Sequence, residues 1–137
     1  MKLSVRILKE SDWDTLVSWW NEWKDWGNHP SKEMLPQNGT GGFMIESDGK
    51  AIVSGFLYLT NSKVGWIEWV VSDPNYKGDN KKEAIELLIH SLENIAKQQG
   101  CEIILSIGRN KSLIKIHEGL DYTIDPSPSY EISKNIK

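Results

Sequence analysis

Apolar and polar residues alternate from Leu3 to Leu8, the period-two pattern of a strand with one buried face. Ser11-Asp12-Trp13-Asp14 then forms a capping-box-like helix start. Trp13, Leu16, Val17 and Trp20 follow at i, i+3, i+4 and i+7, which predicts an amphipathic helix. Trp19, Trp23 and Trp26 make a second stripe on another face, and Gly27 is a suitable stop. Residues 28–42 contain Pro30, Pro36, Gly39, Gly41 and Gly42 and read as a loop, with a helical turn near Ser31–Leu35. Strands are predicted at Phe43–Glu46, Ala51–Thr60 and Val64–Ser72. Ser47-Asp48-Gly49 joins the first two as a hairpin turn, and the weaker Asn61-Ser62 turn completes an antiparallel meander.

A long helix is predicted from about Asn80 to Gln99, with Ile85, Leu88, Leu92 and Ile95 on one face and Gly100 at its end. Glu102–Ile107 is a short apolar strand, expected to pair in parallel with the strand before the loop through a right-handed crossover. Asn110 or Ser112 caps a short helix to about Leu120. Tyr122–Ile124 and Tyr130–Ile132 read as closing strands around Pro126 and Pro128. The order is β-α-β-β-β-α-β-α-β-β. This is an α/β chain of α+β-like character, with a mixed, mostly antiparallel sheet flanked by helices. No repeat or linker divides it, so residues 1–137 read as a single domain.

Composition narrows the function classes. With 39% apolar and 26% charged residues the chain is globular rather than disordered. A net charge of −3 argues against general nucleic-acid or membrane-surface binding, which needs a basic face. The lone Cys101 excludes an internal disulfide and lies in an apolar run, as a buried strand thiol would. His29, His90 and His117 are too far apart for metal-ligand spacing, so no metal is expected. The N-terminus lacks a signal-like apolar region, and no apolar run reaches the roughly 18 residues of a membrane span. A cytoplasmic location is expected. Tryptophan is the oddity, with seven in all and five between Trp13 and Trp26. They fit either a bulky helix core or an aromatic wall for a ligand or partner.

The stretch DPNYKGDNKKEA at 73–84 carries the clearest chemistry. A strand ends, a polar turn with Lys77, Lys81 and Lys82 follows, and a helix begins. Such a turn gathers free backbone N–H groups and the positive end of a helix at one place, which suits an anion such as phosphate. Lysines there are mildly unfavourable to the helix dipole, and a bound anion would offset that. The alternative is a solvated helix start, which Asp79, Asn80 and Glu83 also suit.

The segment PNYKG at 74–78 is similar to the Pro-x-Tyr-Arg-Gly entry to the pyrophosphate loop of the GNAT superfamily of acyl-CoA-dependent N-acyltransferases. The segment NKSLIKIHEGLDY at 110–122 resembles that family's later motif, an Asn before a short helix with a Tyr and then Gly-Phe. The resemblance extends to the order of elements over nearly the whole chain. Two departures stand out. The family's loop, Gln/Arg-x-x-Gly-x-Gly/Ala, aligns with Lys77-x-x-Asn80-x-Lys82. His117 falls where the family has its Tyr, with Asp121-Tyr122 in place of Gly-Phe.

What the resemblance implies is acetyl transfer from acetyl-CoA to a primary amine on a small molecule or a protein. The cofactor would be held by the backbone of Gly78, Asp79, Asn80, Lys81 and Lys82, with the side chains of Lys77, Lys81 and Lys82. Val70 and Ser72 would line the pantetheine arm, and Asn110 belongs to the later motif. Glu68 is the candidate base: among Trp66, Ile67 and Trp69 a partly buried carboxylate would have a raised pKa. It could equally be an outward-facing strand glutamate. His117 is the candidate acid for the departing thiolate, or else a surface or packed helix histidine. The tryptophan stripe Trp19, Trp23 and Trp26 would border the acceptor groove or a homodimer interface. A CoA- or ligand-binding module on the same fold, without catalysis, is the alternative function.

Overall fold

The computed structural model describes residues 2–24 and 27–137. Five strands form one sheet in the order β1 (Leu3–Ile7), β2 (Gly42–Ser47), β3 (Lys50–Leu59), β4 (Val64–Ser72) and β5 (Ile103–Ser106). The first four are antiparallel neighbours, and β5 runs parallel to β4. Three α-helices flank the sheet: α1 (Trp13–Glu22), α2 (Lys81–Gln98) and α3 (Lys111–Gly119). The mixed, mostly antiparallel sheet and the parallel crossover through α2 are those expected from the alternation and the helix period.

Each face of the sheet has its own core. Ala84, Leu88, Ile89, Leu92 and Ala96 of α2 pack on Ile45, Val53, Leu57 and Ile67. Leu16, Trp19 and Trp20 of α1 pack on Met44, Phe56, Trp69 and Val71 on the other side. Trp20 sits at the centre of an aromatic group, stacked near His29 and Phe56 and edge-on to Trp13 and Trp69. Trp19 is therefore a core residue, not part of a free stripe: it is only 5% exposed. Trp26 lies outside the described residues.

β1 is locked to the start of α1 by a fork of charge. The Arg6 guanidinium donates to both Asp12 carboxylate oxygens, at 2.8 and 2.9 Å, and from Nε to Glu46 at 2.9 Å. Asp12 also accepts from the Lys9 backbone N–H at 2.8 Å. The bonds from Arg6, above all, hold the Asp12 carboxyl below its usual range.

Two expectations are corrected. The first helix stops at Glu22 rather than near Gly27. Trp23 is extended, and its indole N–H donates to the Ser72 carbonyl at 2.7 Å. The segments Tyr122–Ile124 and Tyr130–Ile132 are not strands. Each run is short, Pro126 and Pro128 withhold N–H donors between them, and Tyr130 and Ile132 are almost fully exposed. β5 is thus the last strand of the sheet. Tyr122 turns inward instead, donating its hydroxyl to Glu93 at 2.5 Å.

Two outcomes follow for stability. Asp12→Asn should cost on the order of 1–2 kcal/mol at pH 7. The unfolded chain binds more protons at Asp12 than the folded one, so this contribution is full above the unfolded carboxylate pKa. It is lost as pH falls through the lowered folded value. Urea unfolding of both proteins along a pH series should show the difference narrowing at acid pH. Gly42 faces the backbone of Gly55 so closely that a Cβ would overlap the Gly55 carbonyl oxygen. Gly42→Ala should lose about 1–3 kcal/mol through overpacking; a midpoint equal to the parent's would mean that the strands part freely there.

Candidate functional site

The site is built by a fault in β4. Opposite Ser54 and Phe56 of β3 stand Val71 and Glu68, so Gly55 faces both Trp69 and Val70. One extra residue makes a β-bulge. Trp69 takes φ +61°, a left-handed conformation that costs a non-glycine residue about 1–2 kcal/mol. Its ring is held in return. The indole N–H donates to the Tyr58 hydroxyl at 2.9 Å, and Tyr58 donates to the Met34 carbonyl at 2.8 Å. The bulge also swaps faces: Ile67 packs on the α2 side, whereas Trp69 and Val71 pack on the α1 side.

Past the bulge, β4 and β5 part. Their ladder ends at Ile67 opposite Ser106, with a last bond from Ile107 N–H to the Ile67 carbonyl. Among the described residues no strand lies beside that edge of β4 from Glu68 to Ser72. An open cavity of about 360 Å³ fills the gap. Val70, Val71 and Ser72 form its β4 wall, and Lys81 and Ile85 enter from the first turns of α2. Arg109, Asn110, Lys111, Ser112 and Leu113 close the side of β5 and α3, and Trp23 covers one end. Two helix N-termini, those of α2 and α3, thus meet at one cavity. Among the described residues Lys81, Arg109 and Lys111 line it, and no carboxylate does.

The structure brings together Val70, Ser72, Lys81 and Asn110 of the expected cofactor residues. Asn110 caps α3, its Oδ1 accepting from the Leu113 N–H at 2.9 Å. Lys77 and Lys82 are exposed and lie outside the lining, as do Gly78, Asp79 and Asn80. Asn80 is the N-cap of α2 but makes no cap bond with its side chain. That side chain turns to the Tyr76 hydroxyl and to Ser47, so the first-turn N–H groups of α2 are left open. Tyr76 lies across Gly78 so closely that a Cβ there would overlap its hydroxyl. Asn80 has φ −104°, a conformation that needs no glycine.

Glu68 sits at the bulge, beside the cavity rather than in its lining. Its Oε1 accepts from Arg109 at 2.6 Å. Burial pushes the Glu68 pKa up; Arg109 draws it partly back, and Glu131 pushes it up again. Glu131, from the C-terminal tail, accepts from the other Arg109 nitrogen at 2.5 Å, and that bond lowers its own pKa. Arg109 in turn lies over the Trp69 ring, 4.7 Å from its centroid. His117 is placed differently. It is buried, Nδ1 is 2.8 Å from the Leu113 carbonyl, and Nε2 is 2.7 Å from the Ser106 hydroxyl. With both ring nitrogens engaged inside the protein, it is placed as a packed helix histidine rather than as the proton donor expected.

Sequence reasoning missed Arg109, Lys111 and Ser112, and it set Trp23 at an acceptor groove or a dimer interface rather than at this cavity. Lys111 and Ser112 could have been found as the first turn after the Asn110 cap, by the same argument applied to Lys81. No local pattern marks Arg109 or Glu131, because their partner Glu68 is 41 residues from Arg109 in the chain. Among the described residues no group of three or more His, Cys, Asp or Glu is placed to hold a metal. No helix among them is long and apolar enough to cross a membrane.

No protein-family model and no curated protein matches the sequence. Solved structures do. A ribosomal-protein-alanine N-acetyltransferase from Brucella melitensis superposes with a TM-score of 0.69 at 16% identity, over 99% of this chain and 100% of that one. N-Acetylglutamate synthase from Neisseria gonorrhoeae, complexed with coenzyme A and N-acetylglutamate, gives 0.68 at 16% identity over 86% of this chain. This chain spans only 28% of that synthase. An aminoglycoside N-acetyltransferase in complex with CoA gives 0.64 at 18% identity, over 98% and 96%. The fold is that of the GNAT acetyltransferases, as the motif resemblance implied.

Gly78→Ala should evict Tyr76 and release Asn80 and Ser47 from it. Amide hydrogen exchange at residues 76–80 should quicken, while the centre of α2 keeps its protection. Unchanged exchange in the loop would show that Tyr76 does not hold it.

Proposed function

We propose that this chain is an N-acetyltransferase that moves the acetyl group of acetyl-CoA to a primary amine. The observation that carries the reading is the parting of β4 and β5 over a cavity lined, among the described residues, by three cations, two helix N-termini and no carboxylate. An open strand edge can pair with the amides of a pantetheine arm, and helix N-termini with lysines suit its phosphates. Two of the acetyltransferases on the same fold were solved with CoA, which supports this cosubstrate.

The residues fit that group. The peptide edge around Val70 and Ser72 would take the arm. Open N–H groups of Gly78 to Lys82, with Lys81 and Lys111, would take the phosphates, and Lys77 and Lys82 would add longer-range charge. Asn110 fixes the start of α3 beside them. Acetyl-CoA supplies a thioester carbonyl activated toward nucleophiles. On the protein side, Glu68 accepts the proton that the amine gives up as the C–N bond forms and the C–S bond breaks. The sulfur takes its proton from solvent, since His117 is engaged on both ring nitrogens.

A second reading, a CoA-binding module without catalysis, is favoured by one observation: Glu68 is already ion-paired with Arg109. The two readings separate on turnover.

Calorimetric titration of the parent with acetyl-CoA should show binding. Lys81→Ala with Lys111→Ala should weaken it about tenfold or more, with a smaller loss at high salt. Equal affinity of parent and double variant would place the site elsewhere. With an amine acceptor, thiol release should rise with pH as Glu68 loses its proton, at a pH above the ordinary carboxylate range. Glu68→Gln should cost on the order of 10²-fold in rate. Binding without thiol release across a panel of amines would establish the module.

A further inference from the structure

Among the described residues Arg109 is the one charged side chain that touches the cavity, the candidate base and the tail together. Its placement is fixed from two sides. One nitrogen is tied to Glu68 on β4, and its plane lies over Trp69. The guanidinium is therefore preorganised, with its second nitrogen beside the one that Glu68 holds. That nitrogen meets a carboxylate, Glu131, which is about half exposed on a segment without regular structure. An exposed pair of this kind is weak, of a strength that a ligand carboxylate can replace. A rigid arginine with a displaceable carboxylate on it has the form of a carboxylate receptor.

We infer that the acceptor is an amine bearing its own carboxylate, of the amino-acid class, and that Arg109 recognises that carboxylate in the place where Glu131 sits. This rests on the acetyltransferase reading above. The geometry makes amine and acid compatible. In an α-amino acid one carbon separates nitrogen from carboxylate. The two nitrogens of one guanidinium separate Glu131 from Glu68 in the same compact way. A carboxylate held on the Arg109 Nη1 side therefore brings the amine toward Glu68. The incoming acid would also replace the negative charge that Glu131 contributes, so Arg109 stays neutralised throughout.

The test compares amino acids with their carboxamides as acceptors, with acetyl-CoA at saturation. The amides have the same shape and hold more free amine at neutral pH, so a preference for the acids cannot come from basicity. The parent should favour the acids in kcat/KM on the order of 10–100-fold, the scale of a charge-assisted hydrogen bond. Arg109→Gln should bring acids and amides close to parity. Glu131→Gln, a change at an exposed site, should lower KM for the acids several-fold, because the competing carboxylate is gone. Amides used as well as acids, with acetyl-CoA bound and turned over, would overturn the inference and leave the acetyltransferase reading standing. An unchanged KM in Glu131→Gln would overturn it as well. Failure of every amine, with or without acetyl-CoA binding, would remove the acetyltransferase reading and this inference with it.

Discussion

The bulge at Trp69 is the constraint on which the rest of the site depends. A strand of regular alternation would put Ile67, Trp69 and Val71 on one face. Instead the extra residue sends Ile67 to the α2 core and Trp69 with Val71 to the α1 core. The same step ends the ladder with β5 at Ile67 and exposes the edge of β4. A left-handed tryptophan is costly by itself. It persists because Tyr58 binds its indole, Trp20 packs against its ring and Arg109 covers it. Strain of this kind is held in place by a core and is concentrated where the chain needs an opening.

Charge is distributed against the average. The chain is net negative, yet the opening in its sheet is lined by Lys81, Arg109 and Lys111. A protein-wide balance is a poor guide to a cleft, where low-dielectric walls focus the field of a few groups. Arg109 organises the rest. It draws down a Glu68 whose burial raises its pKa and reaches the tail through Glu131. The carboxylate at the bulge is therefore neither free in water nor unpaired in the interior, the two states in which it would be either inert or destabilising.

Tryptophan serves packing more than display. Trp19 and Trp20 fill the α1 core, and Trp69 anchors the bulge. Of the two described residues of the expected second stripe, Trp23 reaches the cavity and Trp19 does not, because Trp23 leaves the helix and hydrogen-bonds the end of β4. Helical spacing assigned it to a face of α1 that it does not occupy. The tail shows the same limit. Its two three-residue runs resemble strands locally, but on either side of the prolines they pair with no strand of the sheet, while Tyr122 finds Glu93 and the edge of His117.

The sequence by itself determined the elements that local rules govern. Alternation in 64–72 sets β4, the Leu88 and Leu92 period sets α2, and the Asn110 cap sets α3, because each depends on contacts a few residues apart. It also located four lining residues, Val70, Ser72, Lys81 and Asn110, since these lie next to element ends that can be read. Only the tertiary structure decided that β4 is bulged, that Arg109 joins Glu68 to Glu131, and that His117 is bonded to Ser106 and Leu113. Those outcomes rest on pairings across sheet and tail between residues far apart in the chain, and such pairings leave no periodic trace in it.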